Sequence, residues 1–276
     1  MKKTIPLAAL AGTLIALSAA AQDCKFSKDE AANIELGSAT RVVIAAGAGE
    51  LKVRGEENRT ALNASGRACA SSQELLDQMR LETRRDGDAL YLRTIMPDMT
   101  DGLLGWRYAH LDLTVLIPKS TALSAEDSSG DLQVSSVQSA TVTDSSGDQT
   151  IRDIAGDLDV TDSSGEIEIQ RVGGTLRLKD SSGEIDVDEV RGDVEVSVDS
   201  SGDMKIERVA GSVHIANDSS GEIEITDVQR DVTIDADSSG GINVERIGGN
   251  FTVNTDGSGS INHDQVLGKV RVPEED

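Results

Sequence analysis

From residue 127 to residue 272 the chain alternates apolar and polar residues in short runs that are separated by turn sequences. In the runs Glu166 to Ile169 and Thr175 to Lys179, every second residue is apolar. A period of two is typical of β-strands that bury one face. The glycine pair Gly173-Gly174 lies between the runs, so one block of sequence predicts two short strands and two turns.

The block recurs along this region, and its most constant part is the phrase Asp-Ser-Ser-Gly. The phrase occurs eight times, once as Asp-Gly-Ser-Gly, at intervals of 17 to 19 residues. The eight copies begin at Asp127, Asp144, Asp162, Asp180, Asp199, Asp218, Asp237 and Asp256. A period held this closely is typical of stacked repeat architectures.

Aligned blocks place apolar residues over apolar residues in three columns, which begin at Leu132, Val134 and Val137. A strand that pairs with its own equivalent one block later pairs in parallel, and parallel crossovers are nearly always right-handed. We therefore predict an all-β fold, a right-handed parallel β-helix (solenoid) with about 18–19 residues per coil and one short helix in its N-terminal part.

A polar column supports this register. The residue before the third apolar column alternates in sign along the blocks: Asp153, Arg171, Glu189, Arg208, Asp227 and Arg246. In parallel coils about 4.8 Å apart, these side chains would form a ladder of opposite charges. We interpret the alternation as structural.

Two segments of different character precede the regular repeats. Residues 1–21 combine two lysines, an apolar run and a small-residue ending, which together predict a secretory signal peptide. Residues 22–118 alternate more weakly, and the capping box Ser71-Ser72-Gln73-Glu74 predicts a short helix near residues 72–80. We interpret residues 22–118 as an N-terminal cap with degenerate β-coils and residues 119–276 as the regular solenoid.

Export determines how the cysteines and the charge are interpreted. An exported chain with two cysteines usually pairs them, so we predict a disulfide between Cys24 and Cys69. Beyond the signal peptide no apolar run reaches the roughly 18 residues of a membrane span, so we expect no membrane insertion. The net charge of −23 repels nucleic acid and anionic lipid. We expect a periplasmic or secreted protein.

The signal peptide, the degenerate first half and the repeated phrase Ser-Gly-(Asp/Glu)-(Leu/Ile)-x-(Ile/Val), followed by Val-x-Gly, define a resemblance. Together they resemble the bacterial "putative adhesin" family of exported β-strand-repeat proteins, whose relatives include auto-transporter adhesin head domains. The resemblance covers nearly all of the mature chain and implies a right-handed β-helix outside the cytoplasm. Its motifs are architectural, so it supplies no catalytic residues.

The most conspicuous candidate chemistry is the acidic residue of each repeated turn. A ladder that includes Asp162, Asp180, Asp199 and Asp218 could hold divalent cations such as calcium, which bind several carboxylate oxygens. Alternatively, aspartate accepts backbone N–H bonds in the turn and glycine takes a positive φ. We favour turn chemistry and expect no cofactor, with calcium as the alternative. Carboxylates about 4.8 Å apart repel by roughly 0.9 kcal/mol even in water, which favours a cation.

A second acidic ladder is formed by the residue after each glycine of the phrase. Its members include Asp131, Asp148, Glu166, Glu184, Asp203 and Glu222.

Enzyme chemistry would show as a local departure from the repeat, because other right-handed β-helices cleave acidic polysaccharides with clustered carboxylates. The departures are Gln149, Lys205, His214 and His263. Lys205 relieves acidic neighbours and His263 lies in the last coil, while carboxylate pairs occur in every coil. We therefore expect no enzyme and assign no catalytic residue.

A candidate binding patch comprises Trp106, Arg107, Tyr108 and His110, whose aromatic faces and cation could hold a sugar or a peptide. An apolar lid on the side of the stack would have the same composition, and we favour the lid. We expect an exported, non-enzymatic, adhesin-like structural or interaction protein of the bacterial cell envelope, with an envelope protein or glycan as partner. The alternatives are a polysaccharide-active β-helix enzyme and a divalent-cation-dependent binding protein.

Overall fold

The computed structural model describes residues 24–99 and 107–273, so the predicted signal peptide lies outside the described residues. The N-terminal elements are β1 (Phe26–Glu35), β2 (Arg41–Ala45), β3 (Leu51–Glu56), β4 (Ala61–Ala70), α1 (Gln73–Gln78), β5 (Arg80–Asp86), β6 (Ala89–Ile95), β7 (Ala109–Pro118) and β8 (Ala122–Glu126). The regular strands are β9 (Leu132–Ser135), β10 (Ser139–Thr143), β11 (Gln149–Ile154), β12 (Leu158–Thr161), β13 (Ile167–Val172), β14 (Leu176–Lys179), β15 (Ile185–Val190), β16 (Val194–Val198), β17 (Met204–Val209), β18 (Val213–Ile215), β19 (Ile223–Val228), β20 (Val232–Ile234), β21 (Ile242–Ile247), β22 (Phe251–Val253), β23 (Ile261–Val266) and β24 (Val270–Arg271).

The described strands form two twelve-stranded sheets around one core. The first sheet runs β1-β4-β7-β3-β9 and then through the odd-numbered strands to β23, and the second runs β5-β6-β2-β8 and then through the even-numbered strands to β24. From β8 to β22 every strand pairs in parallel with its equivalent one coil later. The stacked parallel solenoid is confirmed, and its right-handed sense stays a prediction.

The register places like residues over like residues, as the apolar columns predict. Ile167 lies opposite Ile185, and Ile185 lies opposite Met204. From Leu132 to Ile247 the side chains of the three columns are at most 3% exposed. Each buried aliphatic side chain contributes roughly 1.5–3 kcal/mol. A two-strand unit cannot bury a face alone, so stacking is the source of its stability.

The first coil of the chain is not the first coil of the stack. β2 pairs with both β6 and β8, and β3 pairs with both β7 and β9. The coil made by β2 and β3 therefore lies between the coil of β6 and β7 and the coil of β8 and β9. Periodicity identifies these strands but does not determine which coil pairs with which.

Antiparallel strands and the helix cover the N-terminal end of the stack. β1 pairs with β4 and β4 with β7 in the first sheet, and β5 pairs with β6 in the second. The predicted helix is confirmed: the Ser72 hydroxyl accepts the Leu75 N–H at 3.3 Å, and Leu75, Leu76 and Met79 are buried. Within residues 24–99 and 107–273, no helix is both long enough and apolar enough to cross a membrane.

The predicted disulfide between Cys24 and Cys69 is confirmed, with a Cα–Cα distance of 5.4 Å. Cys69 lies on β4 and faces Ser27 of β1 across the antiparallel pair. The bond therefore anchors the start of β1, which is an edge strand of the first sheet.

Replacement of both cysteines by serine should loosen β1 selectively. The two cysteines are 45 residues apart in the sequence, and closing a loop of that length contributes on the order of 2–4 kcal/mol. We expect the free energy of unfolding to fall by about that amount and amide hydrogen exchange to accelerate in β1, while β13 to β17 stay protected. Equal acceleration throughout the stack would contradict this assignment.

Candidate functional site

Each Asp-Ser-Ser-Gly turn stacks on the backbone of the turn before it. The glycines that end the phrase have φ between +119° and +151°, a region that L side chains rarely adopt. A Cβ added to Gly240 would lie 1.7 Å from the Gly221 carbonyl oxygen. Glycine is thus required both by its φ and by the close approach of the preceding coil.

The second serine of the phrase links consecutive turns. Ser164 Oγ donates to the Ser145 carbonyl oxygen at 3.2 Å, and Ser182 Oγ donates to the Ser163 carbonyl oxygen at 3.1 Å. The same bond recurs in other coils. These hydroxyls form a column of hydrogen bonds along the edge of the solenoid.

The aspartates of the phrase point into the solenoid. Seven of them are at most 5% exposed, and we call these seven side chains the aspartate column: Asp127, Asp144, Asp162, Asp180, Asp199, Asp218 and Asp237. Backbone bridges join Asp199 to Asp218 and Asp218 to Asp237, so the column follows the register of the coils. The expected acidic stripe at the turn is therefore buried along this ladder, which the sequence interpretation missed.

Alternation along the second strand of each coil was the signal for this burial. Asp162 follows the buried Val160 by two residues, and Asp180 follows the buried Leu178 by two. A period of two puts both carboxyls on the inward face. Where the interval grows to 19 residues, a bulge opposite Leu178 and Lys179 absorbs the extra residue, and Asp199 stays inward.

The carboxyls of the column lack counter-charges. Both side-chain oxygens of Asp162, Asp180 and Asp199 are buried without a hydrogen-bond partner among the described residues. Burial raises the pKa of Asp162 and of Asp199 to about 6, and the Asp180 carboxylate between them raises both further. The backbone N–H groups of the following serines lie near these carboxyls without reaching hydrogen-bond geometry, and they offset only part of this effect.

Two other members of the column have higher pKa values. Burial raises the pKa of Asp127 to about 7, and the neighbouring Asp144 adds to the shift. Burial also raises the pKa of Asp218 to about 7, together with the carboxylates of Asp199 and Asp237. The strongest charges acting on the column are thus its own members.

The second acidic ladder is exposed, as the sequence suggests. Asp148 Oδ1 accepts the Glu166 N–H at 3.1 Å, and Asp203 Oδ1 accepts the Glu222 N–H at 2.9 Å. Glu166 and Glu184 lie in solvent beside the same turns whose aspartates are buried. They provide matched exterior positions for tests of the aspartate column.

A groove of about 1320 Å³ runs along the corner where the first sheet passes into the second. We call it the corner groove. Buried third-column residues such as Val172 and Val190 line it together with small residues such as Gly173 and Ala210. The residues of alternating sign predicted from sequence lie along it: Asp153, Arg171, Glu189, Arg208, Asp227 and Arg246.

Each of these charged residues occupies the left-handed region, with φ between 54° and 60°. This conformation costs roughly 1–2 kcal/mol for a residue with a Cβ. Because the equivalent residue of every coil has this φ, each strand bends at the same point and the bends lie above one another along the groove. No glycine or asparagine marks these positions, so the sequence gives the charge alternation but no sign of the bend.

The predicted charge ladder is confirmed in part. Arg171 Nε lies 2.6 Å from Asp153 Oδ1, and Arg246 Nε lies 2.6 Å from Asp227 Oδ1. Arg208 pairs instead with Asp188. The hydrogen-bonding guanidiniums of Arg171 and Arg246 lower the pKa of Asp153 and of Asp227 respectively.

The remaining departures from the repeat do not converge on one site. Gln149 on β11 is 1% exposed, and neither of its amide atoms has a partner among the described residues. Lys205 on β17 faces Asp186 and Glu224 in the register and pairs with Glu207 at 3.2 Å.

The two histidines among those departures lie on different strands. His214 Nε2 on β18 lies 2.7 Å from Asp235 Oδ2, and this hydrogen bond lowers the pKa of Asp235. His263 on β23 faces Val244 in the register and is exposed in the last coil. They form no catalytic cluster with Gln149 or Lys205.

The described part of the candidate patch lies at the capped end of the stack, and Trp106 lies outside the described residues. The Lys25 N–H donates to the Tyr108 hydroxyl at 3.1 Å, and the Tyr108 and His110 rings are 6.2 Å apart. His110 faces Cys69 in the register. These contacts hold Lys25 beside the start of β1, as a lid would, and ligand binding by Trp106, Arg107, Tyr108 and His110 stays a prediction.

A family model described as Toastrack DUF4097 matches residues 106–265, more than half of the 276-residue chain. The chain belongs to this family. The resemblance noted from the repeated phrase is thereby confirmed. The Toastrack match contains all eight Asp-Ser-Ser-Gly turns, so the whole aspartate column belongs to the family's domain.

Comparison with curated proteins gave no match. Among solved structures, a "putative lipid binding protein" from Parabacteroides distasonis is 19% identical with a TM-score of 0.45, over 89% of this chain and 97% of that one. A "putative cell adhesion protein" from Clostridium sporogenes is 12% identical with a TM-score of 0.35, over 89% and 100%. A "putative adhesin" from Bacteroides fragilis is 12% identical with a TM-score of 0.34, over 90% and 97%.

Replacement by alanine should destabilise the protein at one of two adjacent glycines and have little effect at the other. Gly240→Ala places a Cβ 1.7 Å from a carbonyl oxygen at φ +147°, so we expect a loss of at least about 2 kcal/mol in the free energy of unfolding. Gly241→Ala meets nothing closer than 3.9 Å and should stay within about 0.5 kcal/mol of wild type. Denaturant titration of both variants measures the difference, and similar values would refute the stacking constraint.

In the presence of a chelator, the stability of the protein should fall as pH rises from 5 to 8. The column residues Asp127 and Asp218 have a pKa of about 7, and Asp162 and Asp199 of about 6, against about 3.9 in an unfolded chain. The folded protein therefore retains protons that the unfolded chain has lost. Losing them costs on the order of 1.4 kcal/mol per pH unit for each carboxyl.

Urea titrations at pH 5, 6.5 and 8 measure this dependence. Asp199→Asn removes one titrating carboxyl and should flatten the slope, while Glu184→Gln should leave it unchanged. A stability that is constant or rises over this range would show that the column is not protonated in the folded protein.

Proposed function

We propose that the protein is an exported, non-enzymatic interaction protein that binds an extended segment of an envelope protein along the corner groove. The observation that carries the proposal is the groove itself, with its alternating charges along a regular stack. The Cys24–Cys69 disulfide supports export, because disulfides persist in oxidising compartments.

The dimensions of the groove fit an extended polypeptide. Its walls extend from Ser136 to Gln265, seven coil intervals apart. At about 4.8 Å per coil the groove is roughly 34 Å long, which is the length of about ten residues of extended chain. The apolar floor and charged walls would receive alternate side chains of such a segment.

Two charges at the middle of the groove have no ion-pair partner among the described residues. Glu189 and Arg191 line the groove in the same coil, whereas Asp153 and Asp227 are each paired with an arginine. Side chains that need not break an existing pair are the stronger contacts for an incoming charge. The complementary segment therefore carries both an acidic and a basic residue.

The same features favour a polypeptide over a glycan and binding over hydrolysis. No described residue of the groove lining is aromatic, and sugars are commonly held on aromatic faces. A glycosidase needs a carboxyl with a raised pKa as its proton donor, but in the groove the pKa values of Asp153 and Asp227 are lowered. The carboxyls with raised pKa values are those of the aspartate column, inside the solenoid, and Asp186, which does not line the groove.

Selection of ten-residue peptides on the wild-type protein tests the proposal. We expect selected peptides to carry charges of both signs, and Glu189→Lys with Arg191→Glu to weaken their binding at least tenfold, or about 1.4 kcal/mol. The matched control is Arg177→Glu with Glu195→Lys, which exchanges the charges of an ion pair outside the groove lining and should leave binding unchanged.

Equal loss in both double variants would place the binding surface elsewhere. Release of reducing ends from an acidic polysaccharide by the wild-type protein would replace the proposal by the enzymatic alternative.

A further inference from the structure

We propose that the aspartate column is an internal binding site for small hard cations, with calcium held between the carboxylates of successive coils. The site is independent of the corner groove, because no member of the column lines that groove. It lies within the core of the stack and so would act on the rigidity of the whole solenoid.

Burial without partners is the first observation that points to a ligand. Asp180 and Asp199 are 0% exposed, and Asp162 is 2% exposed, yet none of their carboxyl oxygens has a hydrogen-bond partner among the described residues. An ionised carboxylate that leaves water loses several kcal/mol unless a counter-charge replaces the solvent. The column supplies no such charge of its own.

Spacing is the second observation. A proton shared between two carboxyls requires their oxygens to lie about 2.5–2.7 Å apart, but the oxygens of Asp162, Asp180 and Asp199 do not hydrogen-bond to one another. A calcium ion with oxygens at about 2.3–2.6 Å spans an oxygen-to-oxygen gap of roughly 5 Å. Consecutive coils are about 4.8 Å apart, so one ion matches the interval between carboxyls that do not share a proton, as between Asp162, Asp180 and Asp199.

The ligands available in each interval predict modest affinity. Two carboxylates from consecutive coils offer up to four oxygens. No three of the described carboxyls of the column have oxygens within 4.8 Å of one another. Among the described residues the group of three metal-binding side chains that meets this distance is Cys24, Cys69 and His110, and its two cysteines are joined in the disulfide. Pairs of carboxylates should bind calcium at about 10⁻⁴–10⁻³ M, in the range of extracellular calcium modules.

Thermal unfolding and calorimetry of the mature chain at pH 8 test the proposal, with calcium chloride at 5 mM (about five to fifty times that Kd) compared with EDTA. We expect calcium to raise the Tm by roughly 5 °C or more and to bind with several ions per chain. Asp180→Asn with Asp199→Asn removes at least one carboxylate from three of the six intervals between the seven aspartates. This variant should lose about half of the bound calcium and most of the Tm rise, and it should be more stable than wild type in EDTA because repulsion is relieved.

Glu166→Gln with Glu184→Gln is the matched control, because it removes two charges from the exposed ladder beside the same turns. This variant should keep the wild-type stoichiometry and Tm rise. If the variant with both Asp180→Asn and Asp199→Asn does not fold, the nearly isosteric single substitution Asp180→Asn replaces it as the test of the column. A Tm that calcium does not change, or a calcium response that is equal in the interior and exterior variants, would overturn the proposal whatever the peptide selection finds.

Discussion

Consecutive coils of the first sheet hydrogen-bond in parallel without a shift, and the other features of the molecule depend on this register. The register requires backbone to approach backbone at every turn. Glycine adopts the positive φ and has no Cβ at that point; a Cβ on Gly240 would lie only 1.7 Å from the Gly221 carbonyl oxygen. Serine hydroxyls then join one turn to the next on the outer side. The glycine and serine of the repeated phrase are thus required because each turn contacts the same turn of the adjacent coil.

Sequence periodicity predicts most of this fold because every coil buries its apolar residues in the same pattern and ends in the same turn. The columns beginning at Leu132, Val134 and Val137 are buried as predicted, and the helix begins within the predicted capping box, with Ser72 as its N-cap. The interleaving of β2 and β3 between later coils was not predictable. That arrangement depends on a pairing between distant strands, for which alternation within one strand carries no information.

The candidate sites were predicted less well, for physical reasons that differ between them. The charge alternation from Asp153 to Arg246 indicated a ladder, but the groove arises from a left-handed bend that arginine and glutamate at those positions do not favour. The burial of the aspartates could have been predicted from the two-residue spacing between Val160 and Asp162. Aspartate at a turn is so commonly a solvated cap that its place in the inward alternation was overlooked.

A repeated register turns every position into a column of like residues, and this is favourable for isoleucine but unfavourable for aspartate. At the corner groove the chain avoids repulsion by alternating acid and base, and Arg171 pairs with Asp153 as a result. Along the aspartate column, a position of the same repeat, no basic residue interrupts the acids through Asp237. Since alternation is available to this architecture and is not used there, the buried acids must be neutralised in another way, either by the protons that their raised pKa values retain or by the cations that we propose.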